Sequence, residues 1–112
     1  MSDRQHITYA APTSLPSDPV LREFIPEFVT QWRKDFATMF PDIIQRRNAE
    51  DLYRFGHTIK GSFLQFGFTD LAQAGRDIME DSRNGDWSSP VQRVAALEDV
   101  LTAIEARFSE LT

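Results

Sequence analysis

The chain contains no cysteine, which excludes disulfides and thiolate metal sites and removes redox chemistry as a clue to compartment. No stretch approaches the roughly 20 apolar residues that a membrane-spanning helix needs, and the opening MSDRQHITYA lacks the apolar centre of a signal peptide. A cytoplasmic location is the resulting default. Positive charge is also scarce, with 12 Lys and Arg against 17 Asp and Glu and a formal charge of −5. No cationic excess exists to displace phosphate counterions, so nucleic-acid binding is not expected. The acidity, with a pI near 4.9, serves solubility. Strand-like alternation, internal repeats, a Gly-rich nucleotide loop and a carboxylate cluster beside a histidine are all missing.

What is present suits one helical domain. A chain of 112 residues, 41% of them hydrophobic, can build a single core. Residues 1–17, punctuated by Pro12 and Pro16, read as a loose N-terminal arm, with Ile7 and Tyr9 the residues to rest on the body. Residues 18–112 form the body. Ser17-Asp18-Pro19 is a helix start, a capping side chain followed by proline at a position that needs no N–H. Leu21, Ile25, Phe28, Trp32, Phe36, Met39 and Ile43 then recur at threes and fours, flanked by Phe24 and Val29. The aromatic members, Phe24 included, read as core. Pro26 either kinks this helix or delays its start, and Pro41 breaks its far end, leaving a short continuation to Arg47.

A second helix is predicted from Ala49 to Phe66 and buries Leu52, Phe55, Ile59, Phe63 and Phe66, with Gly67 as its C-terminal stop. Thr69 is placed as the cap of a third helix, in which Ala74 and Gly75 suggest close approach to a neighbour. Asn84-Gly85-Asp86 is a turn, and Ser89-Pro90 starts a fourth helix that buries Val94, Leu97, Leu101, Ile104 and Phe108. The expected fold is an all-α, antiparallel four-helix bundle.

The second helix carries an anomaly. At about 100° per residue, His57, one of two histidines, lies roughly 160° from the centre of the buried arc. It therefore faces solvent. Gly61 follows one turn later on the same face, where glycine costs about 1 kcal/mol of helix stability relative to alanine. Tyr53 and Leu64 lie on the same side, and Lys60 places an ammonium beside the imidazole. An imidazole with an ordinary pKa of about 6.5 is a competent nucleophile near pH 7. A neighbouring cation counters the charge of a phosphoryl group once it is attached, and a bare glycine with an apolar rim admits a bulky partner. By contrast, His6 sits in the arm with no role, and two histidines so far apart make a metal site improbable.

His57-Thr58-Ile59-Lys60-Gly61-Ser62, followed by Gln65-Phe66-Gly67-Phe68, resembles the signature of histidine-containing phosphotransfer (Hpt) domains, H-x-[LI]-K-G-S/A with a glycine ten residues after the histidine. Ile25 to Val29 upstream and Phe68 to Gly75 with Ile78 downstream are similar to that family's flanking helices, so the resemblance spans about residues 20–108. It implies that His57 accepts a phosphoryl group on Nε2 from an aspartyl phosphate of a response-regulator receiver domain and passes it to another receiver. Lys60 would steady the phosphoryl oxygens, and Tyr53, Gly61, Leu64, Gln65 and Phe68 would form the docking face. By the same resemblance this chain needs no cofactor, the Mg²⁺ belonging to the partner receiver, and the chain is a phosphocarrier without kinase activity of its own. Its partners would be receiver domains or a hybrid sensor kinase.

Three rival readings compete with this one. The phosphoacceptor helix pair of a sensor kinase carries an acidic residue right after its histidine and a proline soon after, unlike Thr58-Ile59. A non-transferring bundle that merely binds a receiver or kinase is the main alternative, and the pairing of His57 with Lys60 counts against it. A generic helical adaptor or small enzyme leaves Gly61 on an exposed face unexplained. A single accessible histidine needs no dimer, so a monomer is the simpler expectation. The starting Met1 and the lack of a trailing linker point to a free-standing protein.

Overall fold

Proline decides where the first predicted helix breaks. The computed structural model of the chain describes residues 7–111, so His6 lies outside the described residues. The apolar stripe that begins near Leu21 is carried by three helices, α1 (Pro19–Glu23), α2 (Ile25–Ala37) and α3 (Met39–Arg46). The start is as expected, with the Asp18 carboxylate accepting from the Val20 N–H at 2.9 Å and Pro19 in the first position. Pro26 has no N–H to offer the carbonyl of Arg22. The Phe24 N–H instead turns back to the Leu21 carbonyl at 3.0 Å, and Pro26 falls in the first turn of α2. The second break comes at Thr38, upstream of the Pro41 expected to make it, because a proline ring clashes with the carbonyl four residues before it, here Ala37. Pro41 thus sits inside the first turn of α3, and the Thr38 N–H and hydroxyl both donate to the Lys34 carbonyl, at 2.9 and 2.8 Å.

The remaining helices are α4 (Ala49–Gln65), α5 (Thr69–Asn84) and α6 (Ser89–Leu111). The Asn48 side chain caps α4 by accepting from the Asp51 N–H at 3.1 Å. At the other end Gly67 is left-handed, at φ +79°. The Gly67 N–H reaches the Leu64 carbonyl and the Phe68 N–H reaches the Phe63 carbonyl, both at 2.9 Å, the paired closure of a Schellman motif. Phe68, with no capping side chain, is the residue that precedes α5, so Thr69 is its first helical residue and not the cap it was expected to be. The start of α6 likewise relies on a different residue. Asp86 Oδ1 accepts from the backbone N–H groups of Ser88 and Ser89 at 3.1 and 3.0 Å. Hydrogen bonding from the hydroxyl and backbone of Ser89, and then from Ser88, holds the Asp86 carboxyl below the usual carboxylate range.

The first helix, in its three pieces, joins α4, α5 and α6 in an all-α bundle. α6 packs on α2 and α5, and α4 on α5 and α3. The gap between α2 and α4 is filled by rings, with Phe28–Phe63 and Trp32–Phe55 centroids 5.0 and 5.8 Å apart, and α3 adds Phe40, 5.5 Å from Phe55. The α4–α5 seam is the opposite case, backbone against backbone. A Cβ on Gly56 would lie 2.7 Å from the Gly75 carbonyl oxygen, and one on Gly75 would lie 2.6 Å from the Lys60 nitrogen. The close approach expected at Gly75 therefore exists, and Gly56 is its counterpart. Two residues assigned to the core are not in it. Phe24, at the break between α1 and α2, is 48% exposed, and Met39, the first residue of α3, is 50% exposed. Each sits at a helix junction, where the phase of the stripe is lost.

The described part of the arm has no helix, yet it is held more firmly than a loose arm. The Tyr9 hydroxyl donates to Asp77 Oδ2 at 3.1 Å and accepts from Arg93 Nη1 at 3.3 Å. Arg93 in turn grips the buried Asp81 carboxylate through Nε and Nη2, at 2.7 and 3.2 Å. Burial pushes the Tyr9 hydroxyl up to about 12, with Arg93 opposing the shift. Leu15 is buried, and Arg22 Nε donates to the Pro16 carbonyl at 3.1 Å. The arm thus runs over α5, α6 and the α4–α5 turn. Among the described residues no helix is long and apolar enough to cross a membrane.

Candidate functional site

α4 presents two faces of opposite character. Leu52, Phe55, Ile59 and Phe63 bury one face and fix the helix against its neighbours. His57 stands exposed on the other, and among the described residues its side chain has no hydrogen bond or ion pair. One turn on, Gly61 is exposed, and a Cβ placed there would meet nothing within 4 Å. Lys60 is half-buried at the seam, its backbone against Gly75, and among the described residues its ammonium has no carboxylate partner. Ser62 faces the other flank, where its Oγ accepts from Trp32 Nε1 at 3.0 Å and ties α4 to α2. Each residue type around the histidine thus has a physical task. The imidazole is free, the cation beside it is uncommitted, the next turn is bare, and the flanks are pinned.

The residues expected to dock a partner separate into three groups. Gly61, Leu64 and Gln65 share the outer face with His57, and Leu64 is 40% exposed. Tyr53 is only half-exposed, because the Arg83 guanidinium lies 5.2 Å above its ring and donates from Nη2 to its hydroxyl at 3.3 Å. Tyr53 is therefore a platform for an α5 arginine and not a bare apolar surface. Phe68 is a correction. It is 5% exposed, because the turn at Gly67 folds it back beneath α4, with its ring 6.5 Å from Phe63 and 5.9 Å from Phe28. It is a core residue, buried by the hydrophobic contact that accompanies a Schellman closure.

Two apolar residues missed by the sequence reading stand exposed on the flank of α4 that faces α2. Val20, 61% exposed, and Phe24 line a shallow groove with Leu21, Gln65 and Phe66 at the end of α4. The signal available was their phase, since Val20 precedes the stripe and Phe24 directly precedes Ile25-Pro26. Gly56 and Arg83 were also missed, and both act across the seam. Arg54 and Arg46 are exposed and pair with Glu50 and Asp42 one turn earlier, at 2.8 and 3.2 Å. Such exposed pairs contribute about 0.5 kcal/mol.

Comparison with known proteins places the chain in a family. The family model described as the Hpt domain matches residues 20–107. Over 88 residues the chain is 27% identical to the chemotaxis protein CheA of Halobacterium salinarum, a stretch covering 76% of this chain and 13% of CheA. The chain thus spans a small part of that relative's length. No solved structure matches. A free imidazole on a helix packed this way, inside a family match that covers most of the chain, leads to one conclusion: the chain belongs to the Hpt domain family, the phosphocarrier modules of two-component signalling.

Proposed function

We propose that the chain is a phosphorelay intermediate, in which His57 takes a phosphoryl group from a receiver-domain aspartate and passes it to another receiver. The observation that carries this reading is the pairing of an unpartnered, exposed imidazole with a bare Gly61 one turn away. In the transfer step the lone pair of His57 Nε2 forms the P–N bond as the P–O bond of the aspartyl phosphate breaks. The bonding electrons leave with the aspartate carboxylate, and Nδ1 keeps its proton. Lys60 offers charge-assisted hydrogen bonds to the phosphoryl oxygens. Gly61 leaves room for the partner's active site, with Leu64, Gln65, Phe24 and Val20 as the surface against which the partner rests. The Mg²⁺ and the catalytic carboxylates belong to the receiver, and this chain phosphorylates nothing by itself.

The test is direct transfer. The purified chain is incubated with a panel of phosphorylated receiver domains, and label that is acid-labile and base-stable is followed. Wild type is expected to gain label, His57→Gln to gain none, and Gly61→Gln to stay folded but transfer poorly. Wild type that gains no label from any receiver, or His57→Gln that gains as much, refutes the relay. A wild type that binds receivers without being labelled would make the chain a non-transferring adaptor.

A further inference from the structure

The α5 helix carries an uncommitted cation beside the phosphoacceptor helix. Arg83 pairs with Glu80 and Arg93 with Asp81 and Asp77. Arg76 has no carboxylate within 4.0 Å among the described residues, and its guanidinium makes a single hydrogen bond, from Nη1 to Gln73 Oε1 at 3.3 Å. That bond is exposed, and its acceptor is neutral. Gln73 is itself held, since its Nε2 donates to Asp77 Oδ1 at 3.0 Å.

The seam fixes where Arg76 stands. It directly follows Gly75, whose backbone meets Gly56 and Lys60. The two helices run antiparallel, so Arg83 meets Tyr53, one turn before His57, and Gly75 meets Lys60, one turn after it. His57 is therefore bracketed by the stretch of α5 between Arg76 and Arg83. These two arginines are seven residues apart, which places them on one edge of the helix, and Arg83 already reaches the Tyr53 ring on α4. With no side chains between the backbones at Gly56 and Gly75, the same edge at Arg76 lies close to the outer face of α4.

We propose that Arg76 is a second phosphoryl-binding cation that joins Lys60 on the phosphoryl group of phosphorylated His57. The inference rests on the reading of His57 as the phosphoacceptor. In the free chain Arg76 rests on Gln73. Phosphorylation offers it anionic oxygens, to which a planar guanidinium donates two parallel bonds stronger than one bond to an amide. An exposed arginine of this kind is otherwise an ordinary solvated charge, and the experiment separates the two.

The full chain is phosphorylated with phosphoramidate, a small donor that needs no receiver. Nε2 of His57 forms the P–N bond, the donor's own P–N bond breaks, and ammonia leaves with a proton from solvent. The ³¹P signal of the phosphohistidine is then titrated with pH. Removing a cation from beside the phosphoryl group raises the pKa at which it takes up its last proton, and for an exposed contact the expected rise in Arg76→Gln is about half a unit. Arg76→Lys should recover most of it, Arg107→Gln on α6 should change nothing, and high salt should shrink the difference. No phosphohistidine signal attributable to His57 would overturn both the phosphoacceptor reading and this one. A His57 signal that titrates identically in wild type and Arg76→Gln would overturn the role of Arg76 alone.

Discussion

The same substitution on the same helix is expected to have opposite signs at two positions five residues apart. A methyl group added at Gly56 has nowhere to go. Its ideal position lies 2.7 Å from the Gly75 carbonyl oxygen, 3.0 Å from the Met79 nitrogen and 3.1 Å from Ile78 Cγ2, and two of those three atoms are backbone. Relief requires α5 to move away from α4. Overpacking of this kind costs about 1–3 kcal/mol, and alanine returns about 1 kcal/mol of helix propensity over glycine. Gly56→Ala should therefore destabilise the chain by up to about 2 kcal/mol, and Gly75→Ala by a similar amount through its contact with Lys60. At Gly61 the added methyl meets nothing within 4 Å, so only the propensity term acts, and Gly61→Ala should stabilise by up to about 1 kcal/mol. Urea unfolding followed by circular dichroism measures all three, with the midpoint moving and the slope unchanged. If Gly56→Ala or Gly75→Ala gains stability as Gly61→Ala does, the seam is not the close backbone contact described above.

Phe68→Ala should cost about 3–5 kcal/mol, as for other buried phenylalanines, while Leu64→Ala at the exposed face should leave the unfolding midpoint nearly unchanged and weaken receiver binding; the reverse pattern would return Phe68 to the docking surface. Arg47 is the one described non-glycine residue with positive φ, at 52°, so Arg47→Gly should remove roughly 1 kcal/mol of left-handed strain and raise the melting temperature, and a lower one would contradict this. In a Tyr53→Phe variant Tyr9 is the only remaining tyrosine, and its phenolate absorbance should appear near pH 12, not 10. Because burial raises this pKa, the stabilisation from the protonated hydroxyl is complete below the unfolded value of about 10. It is lost as pH rises toward 12, so the arm should loosen across that alkaline window.

Features controlled by nearest neighbours along the chain were legible in the sequence. The Asp18 cap and the Gly67 and Gly85 stops depend on a few adjacent backbone groups, and each stands where its residue type pointed. The exposed face of His57 and Gly61 followed from helical periodicity alone. The failures share a different origin. Phe68 is buried because a left-handed glycine reverses the chain direction, a turn that no periodicity records. Phe24 and Met39 lost their phase at breaks whose exact positions depend on which carbonyl each proline ring displaces. Gly56 reads as an unremarkable glycine until α5 is set against it, and Arg83 reads as a surface charge until the same seam brings Tyr53 beneath it. Those relations are tertiary.

The seam also bears on the order in which the molecule assembles. α4 and α5 are consecutive in sequence and joined by only residues 66–68, so bringing them together costs little loop entropy, and contacts between neighbours in sequence form quickly. α2 has to return across a longer span to seat its rings against α4. We expect the hairpin that carries His57, Lys60 and Arg76 to close before the aromatic half of the core is filled, and to stay closed when that half opens. Amide exchange under native conditions would then show α1 to α3 exchanging through partial opening while α4 and α5 exchange only with global unfolding. Equal protection of all the helices would argue against that order. In such a molecule the face that carries His57 is borne by the earliest and most persistent unit of structure, and the part of the surface that yields first is the α1–α2 shoulder with Val20 and Phe24.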